Sequence, residues 1–406
     1  MSELTSLKNP DHRSSVEVSD ILKQHIEDYK QRFPLSREQH RVVRALIHCR
    51  TAHLGGHVER CEQCGIERIA YNSCRNRHCP KCQNIPREKW LMASKSEVLP
   101  VVYFHAVFTT PHELNPLILH NKSLLFNVLF TSVSETLLEF GRNPKNSLGG
   151  RLGFIAILHT WDQMLNAHYH LHCLIPGGVL TEDWSGWKSC RNDYLFDVHS
   201  LSIVFRGKFI HALSQAYKQG KLHLPGITEP LKDPDTFNAF KQSLYKKNWV
   251  VYVKKPIRNP EYVIDYLGRY THRVAISNHR IISLEKGMVW FSYKDRKNNL
   301  IRQTSLPAVE FIRRFLLHVL PKGFVKIRQY GYLSNRNRRE NLLKIRKIFS
   351  LPESTAASEP LAVIMLKLTG IDISLCPFCR KGRMAVVGVL PPHKQENSPP
   401  TKWNTG

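Results

Sequence analysis

Residues 159–178 read HTWDQMLNAHYHLHCLIPGG. Together with the preceding GFIAIL they predict two strands, 153–161 and 168–176, the second stopped by Pro176-Gly177-Gly178. Alternate residues of a strand share a face, so His168, His170 and His172 point one way and Tyr169, Leu171 and Cys173 the other. Three imidazoles on one face are costly in a core unless something satisfies them, and a metal ion does so. His159 ends the preceding strand, and a hairpin would bring it to the same ion. Asp162 is the one carboxylate near in sequence, so zinc hydrolysis with a general base fits poorly. A divalent ion that clamps a phosphate while a side chain attacks fits better, and that route needs a nucleophile elsewhere.

A helix is predicted from Asn259, a good N-cap, with Pro260 at the first helical position. It continues EYVIDYLGRYTHR. Tyr262, Tyr266 and Tyr270 recur every four residues along one face. Aromatic stripes of this kind are usually core. Here Asp265, Arg269, His272 and Arg273 crowd the same helix, and a metal-bound phosphate nearby would make a tyrosine nucleophile reasonable.

The 406-residue chain carries 59 Lys and Arg against 33 Asp and Glu, a formal net charge of +26. Such a surplus repels itself unless a polyanion relieves it, so nucleic acid is the expected partner. No apolar run long enough to span a bilayer and no signal-peptide core are expected, which points to a reducing, intracellular setting. The ten cysteines then read as metal ligands or buried thiols rather than disulfides. Cys61-x2-Cys64 and Cys79-x2-Cys82 suggest one structural zinc held by these four thiolates. Cys74, His78 and His57 over-supply the ligand set, and Cys74-x4-Cys79-x2-Cys82 also matches part of a plant-type iron–sulfur spacing. Arg75, Arg77 and Lys81 would present cations beside the metal. Cys376-x2-Cys379 is half a site, open to a second zinc knuckle or to a metal-free pair.

Mixed strands and helices with few strand–helix–strand repeats predict an α+β fold. Helices are expected over 16–33, from Ser36 (a capping box with Gln39), and over 123–141, 199–219, 235–246, 308–320 and 361–369. Strands are expected over 101–110, 249–254, 273–284 and 288–293. Residues 326–347 hold eight Lys or Arg and one Glu. Arg336, Arg338 and Arg339 there are candidate phosphate contacts. The organisation expected is a helical, zinc-binding, DNA-binding domain over 1–99, a catalytic domain over 100–320, a basic segment, linker and CPFC knuckle over 321–390, and a disordered tail over 391–406.

Several stretches in order carry a resemblance: HRVVRALIHCRTAHLGGH, CEQCG, YNSCRNRHCPKCQ, LPVVYFHAVFTTPHELN, LHTWDQMLNAHYHLHCLIPGG, YVIDYLGRYTHRVAISN and FLLHVLPKGFVKIRQYGYL. Over about residues 35–335, with the terminal CPFC, the chain resembles rolling-circle, two-tyrosine transposases of the HUH superfamily, of the insertion-sequence-ninety-one type. The resemblance implies an N-terminal helical zinc-binding module followed by an HUH-endonuclease-like antiparallel sheet, with His170-Leu171-His172 on a central strand and the tyrosine helix beside it. It implies Mg²⁺- or Mn²⁺-dependent nicking and rejoining of single-stranded DNA at transposon ends and target through 5′-phosphotyrosine intermediates. The nucleophile pair falls on Tyr266 and Tyr270, with Tyr262 making an overlapping pair. The third metal ligand falls on His159, with His168 as rival, and Arg269 and Arg273 flank the tyrosines. A cytoplasmic bacterial DNA transposase, nucleoid-associated when bound, is the expected identity. A plasmid relaxase or replication initiator, and a non-catalytic zinc-dependent DNA-binding regulator, are the alternatives.

Overall fold

The computed structural model describes residues 16–95, 97–146, 148–191, 193–259, 262, 263, 266, 268, 271, 273–295, 298–352 and 360–393. The N-terminal helices α1 (Val18–Arg32) and α2 (Arg37–Ile47) form where their apolar positions repeat on one face. Ser36 caps α2 in the expected box, its hydroxyl accepting the Gln39 amide at 3.2 Å while Gln39 Oε1 accepts the Ser36 amide at 2.9 Å. A hairpin of β1 (Gly56–Cys61) and β2 (Glu67–Tyr71) follows, then α3 (Asn84–Lys95).

The chain next runs through β3 (Tyr103–Thr109), α4 (Asn115–His120), α5 (Lys122–Arg142), β4 (Gly153–Trp161) and β5 (Ala167–Pro176). After the small hairpin β6 (Gly178–Leu180) and β7 (Trp187–Ser189) come α6 (Val198–Lys218), α7 (Pro234–Lys246) and β8 (Val251–Val253). A three-stranded meander of β9 (Ile281–Glu285), β10 (Met288–Lys294) and β11 (Ile301–Pro307) leads into a helix over Ala308–Leu317. The chain ends with β12 (Ile327–Gly331), helices Arg338–Ile348 and Leu361–Thr369, and β13 (Met384–Leu390). The fold is α+β, as its sequence predicts.

The principal sheet has the order β12-β4-β5-β3-β8, every neighbour antiparallel. β5 is therefore central. One face is uniformly apolar: Phe104, Ala106, Phe108, Phe154, Ala156, Leu158, Tyr169, Leu171, Cys173 and Ile175 are buried with α5 and α6 side chains such as Phe126, Phe130, Phe205 and Phe209. α5 is long and apolar enough to cross a membrane by composition, but it packs as this core helix. The opposite face carries His105, His159, His170 and His172 by strand alternation. It also carries Ile155, Ile157 and Leu174, which cluster with Val263 and Ile345.

Two elements differ from expectation. β12, taken from the basic stretch 326–347, is an edge strand of the main sheet, and Leu342 and Ile345 of the following helix are buried. A boundary at 320/321 would cut this sheet, because charge hides the packing residues of the stretch. Gly331 ends β12 at φ 62°, where a Cβ would lie 1.7 Å from the Leu152 carbonyl oxygen, so only glycine fits. β11 is not among the expected strands because IRQTSLP is mostly polar; its pairing to β10 makes it a strand.

Leu171 is fully buried at the centre of the apolar face. Leu171→Ala should lower unfolding free energy by about 3 kcal/mol in urea titrations; a loss below about 1 kcal/mol would place the core elsewhere.

Candidate active site and metal centres

The β4–β5 register puts His159 directly opposite His170 and Ile157 opposite His172. One ligand nitrogen from each of His159, His170 and His172 lies within 4.8 Å of the others. His170 Nδ1 lies 2.9 Å from the His168 carbonyl, an oxygen that can only accept. The proton is therefore on Nδ1 and the lone pair on Nε2, which faces His172 Nε2 at 3.1 Å. His159 stacks on Trp161 at 5.1 Å between centroids and meets His172 edge-on at 4.4 Å. His168 is adjacent through its ring, 4.7 Å from that of His170, but contributes no atom to the three-nitrogen cluster.

A fourth histidine, His105 on β3, joins this face; standing alone in VVYFHAVFTT, it carries no spacing signal in the sequence. His105 Nε2 lies 2.8 Å from His172 Nδ1, and His105 Nδ1 lies 2.6 Å from the Tyr266 hydroxyl. Burial, then the Lys254 ammonium, pushes His105 down to about 3. Burial and then the neighbouring histidines hold His172 well below the usual imidazole range. Both are neutral near pH 7, the form that binds a metal. Lys254 also sits 5.7 Å from the centroid of the Tyr266 ring. Among the described residues, Tyr266 is thus the tyrosine brought to the histidine face. Tyr262 is 64% exposed. Tyr270, Arg269 and Pro260 lie outside the described residues.

The cysteines do not form the expected site from Cys61, Cys64, Cys79 and Cys82. They divide into two sets, Cys49 with Cys74, Cys79 and Cys82, and Cys61 with Cys64, Cys376 and Cys379. In the first set Cys82 lies 3.5 Å from Cys49 and 3.7 Å from Cys74, and Cys79 lies 3.6 Å from Cys49. In the second, Cys61–Cys379 and Cys64–Cys376 are each 3.7 Å apart. The β1–β2 hairpin carries the Cys61 knuckle away from the loop and pairs with β13 instead, a long-range event that local spacing does not encode. Four thiolates at one point suit tetrahedral zinc. His57 is bonded to Glu59 at 3.0 Å, and His78, pushed down to about 3 by burial, accepts the Leu320 amide at 3.4 Å. Neither is in a metal set.

Three of the expected DNA-contacting cations are tied internally. Arg77 donates to the Phe324 carbonyl at 2.5 Å, Lys81 to Glu17 at 2.5 Å, and Arg338 pairs with Glu97. Arg75, Arg273, Arg336 and Arg339 are exposed. A cleft of about 810 Å³ runs between the N-terminal module and the sheet, lined among others by Arg87, Leu91, Trp161, Gly268, Arg273 and Lys294. Trp161 connects this cleft to His159 through its stacked ring.

Residues 153–341 match the family model described as "Putative transposase", and residues 21–110 match one described as "Transposase zinc-binding domain". The "Putative transposase y4qJ" of Sinorhizobium fredii is 42% identical over 399 residues, 97% of this chain and 99% of that protein. This chain belongs to the IS91-type transposases. The "Transposase for insertion sequence element IS801" of Pseudomonas savastanoi pv. phaseolicola is 25% identical over 344 residues, 82% of this chain and 80% of that protein. No solved structure matches. In this transposase the histidine cluster falls inside the first matched region. Cys49, Cys74, Cys79 and Cys82 fall inside the zinc-binding domain, and their four converging thiols suit a structural zinc ion. Cys376 and Cys379 lie beyond both regions.

The half-buried Arg338–Glu97 pair separates architecture from surface charge. Arg338→Gln should cost about 1–3 kcal/mol in thermal or urea unfolding. Arg336→Gln and Arg339→Gln should each stay within about 0.5 kcal/mol of the native protein; equal costs at all three would mean that the pair does not hold the helix to the segment that follows α3.

Proposed function

We propose that this transposase nicks and rejoins single-stranded DNA through 5′-phosphotyrosine intermediates, in a rolling-circle-like transposition. The observation that supports this reading best is the short path from the Tyr266 hydroxyl through His105 to a three-histidine cluster. His159, His170 and His172 would hold a Mg²⁺ or Mn²⁺ ion. Bound there, the ion supplies positive charge against the non-bridging oxygens of the scissile phosphate.

The chain's own groups do the rest. Tyr266 gives up its phenol proton and its Oη attacks phosphorus, the bond from phosphorus to the 3′ oxygen breaks, and the 3′ oxygen takes up a proton to leave as a hydroxyl, so that one proton is released and one consumed. When His172 presents Nε2 to an ion, its proton sits on Nδ1 and is donated to His105 Nε2. The proton of His105 then sits on Nδ1 and is donated to Tyr266 Oη, so the tyrosine oxygen accepts a hydrogen bond and its negative form is favoured. Lys254 adds a cation beside the ring. Tyr270, four residues on in sequence, would be the second nucleophile that takes a strand in the later transfer.

The cleft lined by Arg87, Arg273 and Lys294 is the path for the strand, with Trp161 as a stacking surface next to the cluster. Backbone contacts from exposed cations, Arg75, Arg336 and Arg339 among them, add affinity that falls with salt. The protein acts in the bacterial cytoplasm, on the nucleoid.

Two experiments test the reading. Incubation with labelled single-stranded DNA and Mn²⁺ should give a denaturation-resistant adduct that Tyr266→Phe reduces to background. Undiminished adduct in Tyr266→Phe would move the nucleophile to Tyr270 or Tyr262. Mn²⁺ affinity measured by calorimetry should fall beyond detection in His159→Ala and by about 10–100-fold in His105→Phe, and should stay within about twofold in His168→Ala, which lies outside the cluster. Loss of affinity in His168→Ala with retention in His159→Ala would reverse the ligand assignment.

A further inference from the structure

The small sheet β13-β1-β2 has a physical problem. Its strands pair over Gly56–Cys61 with Met384–Leu390, yet none of its apolar side chains enters a core cluster among the described residues. Ile69, Val386 and Val389 are 52%, 62% and 79% exposed. Hydrogen bonds alone do not hold a three-stranded sheet of this size in water, because ordering the chain costs more than they return. Something else must fasten β13, which comes from the far end of the sequence.

We propose that Cys61, Cys64, Cys376 and Cys379 bind a second zinc ion, distinct from the one in the Cys49 set, and that this ion staples the C-terminal arm to the N-terminal module. The four thiols converge within 4.8 Å of one another. Each pair sits in a tight knuckle whose backbone amides point at sulfur. The Gln63 and Cys64 amides lie 3.4 Å from Cys61 Sγ, and the Gly382 amide lies 3.4 Å from Cys379 Sγ. Such amides stabilise thiolates, the form that binds metal. The two knuckles are registered on each other by the Glu62 amide donating to the Arg383 carbonyl at 3.0 Å, and the second knuckle is closed on itself by the Cys376 amide donating to the Gly382 carbonyl at 2.8 Å. Gly382 lies so close that a Cβ there would be 2.6 Å from Cys61 Sγ, so the loop is built around that sulfur.

The consequence is topological. Cys64 and Cys376 are 312 positions apart, and the main sheet lies between them in sequence. The metal therefore closes the chain into a ring, returning it past the helix Leu361–Thr369 and α3 to the zinc module that walls the cleft. The two zinc sites differ in access. Cys49 and Cys79 are buried among the apolar side chains of α1 and α2, whereas Cys64 is exposed. The stapling ion is the one a chelator reaches first.

The proposal stands apart from the nicking chemistry and is tested without it. Elemental analysis of the purified full chain should give two zinc ions per molecule, and the Cys376→Ser, Cys379→Ser double variant should give one. In that variant hydrogen exchange should speed up over 56–61 and 384–390 but not over β4 and β5, which also shows that the rest has folded. As a second measure, Co²⁺ added to zinc-free protein should develop tetrathiolate absorption up to two equivalents in the native chain and one in the variant. One zinc in the native chain, two in the variant, or unchanged exchange in β13 after loss of one zinc would each overturn it.

Discussion

The antiparallel register of β4 against β5 is the constraint on which the rest depends. It places His159 across from His170 and leaves His172 one pleat further on. A slip of one residue would turn every side chain of β5 over, driving the imidazoles into the phenylalanines around α5 and exposing Leu171 and Cys173. The apolar face therefore specifies the polar one. Burying Phe104, Phe108, Tyr169 and Leu171 on one side forces the histidines together on the other.

That grouping is unfavourable for a fold that needs only stability. Buried imidazoles must stay neutral and must find partners. The structure meets this requirement locally, with the His168 carbonyl for His170 and with His105 for His172. Each partner also aims a ring nitrogen toward the shared point, so the same bonds that satisfy the core pre-organise a ligand set. The protein then needs little rearrangement to accept an ion. Tyr266 reaches the set through His105.

Much of this was legible in the sequence, for reasons that can be named. Strand alternation gave the shared face of His168, His170 and His172, and the Pro-Gly-Gly stop gave the end of β5. The capping box at Ser36 gave the start of α2. Spacing also brought Cys74, Cys79 and Cys82 into view together, and the structure does group them. What stayed hidden depends on contacts distant in sequence. Cys49 and the Cys61–Cys376 partnership follow from chain paths, and no local spacing reports them. His105 is one histidine in an apolar strand, where the ordinary reading is a satisfied core residue. The 326–347 stretch misled by its charge, since Arg338 is consumed by Glu97 and the strand and helix beneath pack into the main body.

The central claim is that the histidine face of the sheet holds a catalytic divalent ion within reach of Tyr266. Crystals soaked in Mn²⁺ and measured at the manganese absorption edge test it most directly. The account predicts one strong anomalous peak bonded to ring nitrogens of His159, His170 and His172, on the side of β5 that faces the tyrosine helix. A map with no peak there, or with manganese bound only at surface carboxylates, would contradict it.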